Sequence, residues 1–198
     1  RLSSSLRVFE KLNLSLTFDR SSSENNKGNN PTGNTGMTMF IFQDIRLPLP
    51  TYSFSLSNLN TFSILRRVAN NVTLRHAYSG RKSQVWTGDK DNLKSTKFDW
   101  GFAPFAGMNI AWKGGINSNF SMNRTNSLSI DRTGAETKSL NNILTGSVSY
   151  NLSSGFRIPF PFGLFGDKRI TNTVNFSMDV NKSSNSTFQK RKDDDDFS

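Results

Sequence analysis

Leu12, Leu14, Leu16 and Phe18 alternate with Asn13, Ser15, Thr17 and Asp19, so one face of this segment is apolar and the other polar. The same period of two recurs at Tyr52/Phe54/Leu56, Val72/Leu74/His76/Tyr78, Phe98/Trp100/Phe102 and Met108/Ile110/Trp112. It continues at Phe120/Met122, Leu128/Ile130, Val148/Tyr150/Leu152 and Val174/Phe176/Met178/Val180. Period two is the signature of strands exposed differently on their two faces. The pattern predicts an all-β antiparallel meander with crossings at about 5–19, 37–47, 72–87, 97–112, 116–132, 141–152 and 169–182. One segment departs from it. In SNLNTFSILRRVANN (57–71), Leu59, Phe62, Leu65 and Val68 recur every three residues after Ser57 or Asn58 as N-cap, which predicts a short amphipathic helix.

Two architectures generate such alternation: a soluble sandwich with its apolar face inside, and a membrane barrel with its apolar face against lipid. Strand length separates them. Soluble strands average about five to six residues, whereas Ile116 to Arg132 runs without a turn signal. The polar face is Ser, Asn and Thr, suited to a hydrated lumen, and these three types make up 67 of the 198 residues. The expected fold is therefore a transmembrane β-barrel meander, a partial barrel of seven crossings with a helical insert at 57–71. An odd number of crossings leaves the ends on opposite sides. The segment 183–198, ending in QKRKDDDDFS, reads as a polar loop rather than a closing strand, so all of 1–198 is expected to be one segment of a larger barrel. With Arg1 opening a polar stretch instead of a signal segment, the chain reads as an internal fragment.

Connections divide into two classes. Ser21–Gly36, Gly80–Ser95, Thr133–Ser139 and the end beyond Lys182 are long and polar. LPLP at 47–50, the KGG turn at 113–115 and the Phe-rich segment 153–168 are shorter or apolar. Outer-membrane barrels have long external loops and short periplasmic turns. The helix and the 153–168 loop are accordingly expected on the periplasmic side, where Leu59, Phe62, Leu65, Phe160, Phe162 and Phe165 would form a docking surface. Tyr78, Trp100, Trp112 and Tyr150 are expected at the membrane interfaces, where aromatic rings concentrate.

Composition removes most chemistry. No cysteine is present, so disulfides and thiolate sites are excluded, and the single His76 excludes most His-based metal and triad sites. Lying on the apolar parity beside Tyr78, His76 reads as a packed or rim residue. GLFGDK (163–168) lacks the spacing of a phosphate loop. Asp89, Asp91 and Asn92 begin like a calcium loop without its glycine and glutamate. No catalytic group, cofactor or metal is expected. A net charge of +10 raises nucleic-acid binding, but the cations are scattered rather than gathered into a stripe with stacking aromatics. Several sit beside the expected membrane borders, where lipid headgroups or lipopolysaccharide phosphates would meet them.

The order LPLP, aromatic strand, short helix with a basic pair, VTLRHAYSG, then FAPFAGMNIAWKGGINSNFSMNRTNSLSI resembles the C-terminal part of the SprA (Sov) family. These are the giant outer-membrane barrels of the type IX secretion system, also linked to gliding motility. The resemblance runs from about Leu12 to Lys192 and is strongest at Val72–Gly80 and Pro104–Ile130; Ala103 and Gly114–Gly115 depart from the family pattern. It implies a bacterial outer-membrane location and a protein-conducting channel that exports folded cargo. It further implies a smaller barrel partner that receives substrate, and a periplasmic plug protein. A general porin or transporter barrel and a soluble adhesin-like β domain are the other readings of the same residues.

Overall fold

In the computed structural model the described residues are 1–9, 11–25, 31–43, 45–88, 92–152 and 174–191. They form an antiparallel all-β sheet whose right half is a plain meander of five long strands. These are β8 (Ala69–Thr87), β9 (Leu93–Trp112), β10 (Ile116–Asp131), β11 (Glu136–Leu152) and β12 (Val174–Lys190). Each is 16 to 20 residues long. Ladders pair apolar with apolar positions across the strands, as in Leu74 with Met108, Met108 with Phe120, and Tyr150 with Phe176. That register keeps one face apolar and the other polar through the whole meander, because a slip of one residue would exchange them.

The left half is built differently. β1 (Leu2–Phe9) and β2 (Leu12–Phe18) are a hairpin, not the single crossing expected over 5–19. After a break at Asp19, β3 (Arg20–Asn25) continues the line of β2 and pairs with β4 (Thr32–Thr38), so most of the expected polar loop 21–36 is hairpin. Serines, asparagines and glycines there carry too little hydrophobic alternation to reveal a strand. β4 pairs with the upper half of β8, from Thr87 to Arg81, and β7 (Thr51–Leu56) pairs with its lower half, from Tyr78 to Leu74. The two share one lane of the sheet. Between them the chain leaves the sheet as a small hairpin, β5 (Phe40–Phe42) and β6 (Ile45–Leu47); Asp44 lies outside the described residues.

The expected crossing 37–47 is thus a half-crossing followed by an excursion, and LPLP ends that excursion at mid-height rather than turning the chain at the sheet's end. Eight lanes result where seven crossings were expected, because β1 adds one. The last strand also runs to Lys190, eight residues beyond the expected end at Lys182, so 183–190 is strand and not loop. Ser, Asn and Thr dominate its second half, and they hide a strand whose neighbour β11 still supplies every ladder partner. Loops at the upper end are shorter than expected: 88–92 and 132–135.

At the lower end, a 3-10 turn (Leu59–Thr61) leads into α1 (Ser63–Val68), shorter than the expected 57–71. Asn58 caps the turn without a side-chain hydrogen bond and Phe62 precedes α1. The helix stops at Val68 because Ala69–Asn71 already belong to β8. Leu59, Ala69 and Val72 form a small buried cluster with Leu56, Leu65 and Ile110 against it. A second cluster, Met39, Ile41, Phe98 and Leu128, lies under the β5–β6 hairpin. No side chain among the described residues is less than 2% exposed, and both clusters are small. The sheet does not close: its path ends at β1 on one side and β12 on the other.

Candidate membrane-facing surface

Alternation assigns every strand residue to one of two faces, and the two differ in curvature as well as chemistry. On the polar face, one cavity of about 700 Å³ is lined from Arg1 beside β1, through Thr17, Thr51, Arg81, Asp99 and Thr125, to Asn141 on β11. A cavity touched by seven successive lanes requires a sheet curled around its polar side. Charges there are partly paired, Arg81 with Asp19 at 3.4 Å and Lys97 with Asp99 at 2.9 Å.

The convex face is apolar and uncovered over most of its area. Leu6, Leu16, Phe54, Leu74, Phe105, Phe120, Leu144, Val148, Phe176, Met178 and Val180 are all exposed, several beyond half of their surface. They form a continuous band across the lanes. One row of directly paired residues crosses the sheet through Arg20, Met37, Lys82, Phe98, Leu128, Lys138 and Phe188. In the β2–β3 lane the change from apolar to cationic falls on this row, at Phe18 and Arg20. In β12 it falls at Val180 and Lys182, about six residues lower, a descent of about 20 Å across about 29 Å of sheet. The lower border moves in step: Leu12 stands on the row that ends at Val180, whereas the band in β12 continues down to Val174. Between these outer lanes the upper border is stepped, since Lys82 and Lys138 stand on the Arg20 row itself and Arg124 stands four residues below it; along each outer strand the band is about 20 Å long.

Arg20, Lys82, Arg124, Lys138 and Lys182 mark its upper border on the convex face, with Arg46 of the excursion hairpin beside them, its guanidinium 4.3 Å from the Phe98 ring centre. Trp112 and Tyr150 stand at the lower border, next to the KGG turn; Trp112 Nε1 donates to Ser118 Oγ at 2.8 Å. Tyr78 and Trp100 stand at the upper one, but the expectation that both meet an interface freely is corrected for Tyr78. The hairpin covers Tyr78, leaving it 2% exposed, and its hydroxyl accepts from Ile41 N (2.7 Å) and donates to Ile41 O (3.0 Å). Trp100 is half-buried beside the same cluster. The hairpin leaves the sheet where Met39 N bonds Gly80 O at 2.8 Å. A Cβ on Gly80 would lie 2.0 Å from the Met39 carbonyl oxygen, so only glycine admits this close approach.

His76 has a structural task on this face. Between Phe102 and Gly107 the β9 strand carries extra residues relative to β8, and the bulge turns the Phe105 carbonyl out of the ladder. His76 Nδ1 donates to that carbonyl at 2.5 Å and Nε2 accepts from the Tyr52 hydroxyl at 3.3 Å. The ring is packed among Tyr52, Phe54, Phe102 and Phe105, with centroids 5.0–5.8 Å away. Sequence reasoning found the residue as packed but not the bulge that needs it; Pro104 was the available signal.

Of the expected docking residues, Leu59 is buried and Leu65 packs against the sheet, so these two do not form a surface, while Phe62 is 61% exposed. Ile64, at 80%, and Val68 were missed and are exposed with it. Phe160, Phe162 and Phe165 lie outside the described residues. α1 and the KGG turn do share one end of the sheet, Lys113 N bonding Val68 O at 2.9 Å. The register pair Leu152–Val174 puts both ends of the 153–173 connection at that end as well.

Among the described residues no three His, Cys, Asp or Glu side chains gather as a metal site, and no helix is long and apolar enough to cross a membrane. Fold and surface together define an open, curled antiparallel sheet that is polar inside and apolar outside. No protein-family profile matches the chain, and no curated protein is significantly similar to it.

Proposed function

We propose that this chain is a wall segment of an outer-membrane β-barrel, with the convex band against lipid and the concave Ser/Asn/Thr face lining a water-filled channel. The observation that carries this is the opposition of the two faces: strands of 16 to 20 residues leave apolar side chains uncovered across one face of the sheet, while the other face lines a polar cavity. A soluble surface rarely exposes an apolar patch of such extent.

The open edges at β1 and β12 favour a sheet that continues into further strands, since lipid satisfies no orphaned backbone group. Within that class, the resemblance to the SprA family supports a part in a protein-conducting channel of the type IX kind, one that passes folded cargo from the periplasm with a smaller barrel and a plug as partners. A porin or transporter wall is the second reading, favoured by the same lumen chemistry. Photo-crosslinkers placed at Ser121 and Thr145 on the concave face separate them. In a protein channel they capture a secreted cargo stalled by a fused folded domain; in a porin they capture no cargo although small solutes pass.

A further inference from the structure

The excursion hairpin and the sheet enclose a cleft of about 430 Å³ on the convex face, at the upper border of the apolar band. Resting on the membrane reading above, we infer that this cleft binds one anionic membrane lipid, its phosphate at Arg124 and an acyl chain along Phe42, Phe102, Phe105 and Met122. Three observations converge on that occupant. The walls are aromatic and apolar below, while Arg124 is exposed at the rim, directly paired with Phe102 in the ladder. No carboxylate lines the cleft among the described residues, and Lys138, also at its edge, is already engaged within the protein. Phe42, 55% exposed, and Ile45, 54%, extend apolar surface outward from the hairpin at the level where headgroups give way to acyl chains. A free phosphate would leave those walls unused, and a zwitterionic lipid such as phosphatidylcholine would bring a phosphate already offset by its own ammonium, which the cleft has no carboxylate among its described lining residues to receive.

The test is native mass spectrometry of the full-length protein purified in detergent, offered phosphatidylglycerol, phosphatidylcholine or inorganic phosphate. One phosphatidylglycerol should survive activation that strips phosphatidylcholine, and millimolar phosphate should not displace it. Arg124→Gln should lower its occupancy by roughly tenfold, the loss expected for one charge-assisted hydrogen bond. Lys182→Gln, a cation of the same border two lanes away, should leave it unchanged. Equal losses in both variants, displacement by phosphate, or no selective adduct would overturn the lipid site while leaving the membrane reading intact. A protein that stays monodisperse in water without detergent would remove the membrane reading itself.

Discussion

At the scale of residues, the informative positions are those where a polar group sits on the apolar face. The Phe105 carbonyl has left its ladder and His76 is its partner, so replacing His76 by phenylalanine keeps the packed ring but orphans the carbonyl. His76→Phe should cost about 1–3 kcal/mol, and more where lipid replaces water. Tyr52→Phe should cost less, because the imidazole nitrogen it leaves accepts only one long hydrogen bond. Urea midpoints of the lipid-folded protein measure both, and equal losses would remove the bulge explanation. Asp131 behaves in the opposite way, in water at the upper turn. The Thr133 hydroxyl first, then the backbone amides of Ala135, Thr133 and Gly134, hold its carboxyl below the ordinary aspartate range. A depressed folded pKa stabilises above the unfolded value and is lost as pH falls through the folded one. NMR titration should therefore find Asp131 ionised at a pH where a peptide aspartate is half protonated, and Thr133→Val should raise its pKa; an unmoved titration would separate the turn from the shift.

At the scale of elements, the excursion hairpin depends on two contacts, the Tyr78 hydroxyl on Ile41 and the Met39 approach to Gly80. Gly80→Ala pushes a methyl into the Met39 carbonyl and should displace the hairpin, seen as new proteolysis near Arg46 with the meander β8–β12 still protected. Intact resistance at Arg46 would mean that the hairpin is held elsewhere. These elements also mark where sequence reasoning stopped. β8 to β11 were readable because Val72 to Tyr78, Met108 to Trp112 and Val148 to Leu152 alternate between strongly different side chains. β3, β4 and the end of β12 were not, since Ser22, Thr35, Ser184 and Ser186 sit above the band, where both faces are mostly polar and alternation carries little contrast. The splitting of one lane between β4 and β7 is a tertiary fact. Proline marked the interruption, but nothing local says that the chain returns to the same lane. On the candidate surface, the apolar parity and the rims at Trp112 and Tyr150 were legible, while the hairpin over Tyr78 and the inward turn of Leu59 and Leu65 depend on contacts distant in sequence.

At the scale of the whole molecule, the account holds that one sheet separates lipid from water. Chain order sets the helix end opposite the 26–30 end, and the proposed orientation puts the helix end in the periplasm: epitope tags near Asn60 should be hidden on intact cells and appear after the outer membrane is permeabilised, whereas a tag near Asn29 should be visible throughout. The reverse pattern would invert the assignment of sides. The sheet itself is tested most directly by position-by-position labelling, which the absence of native cysteine makes clean. Single cysteines at Leu14, Phe120 and Phe176 on the convex face, and at Ser15, Ser121 and Ser177 on the concave face, are introduced into the full-length protein in lipid vesicles. Each is then offered a lipid-restricted and a water-soluble thiol reagent. The account predicts that the first three react with the lipid-restricted reagent and resist the soluble one, and that the serine positions do the opposite in all three lanes sampled. Soluble reagent reaching positions 14, 120 and 176 while 15, 121 and 177 are protected would contradict it.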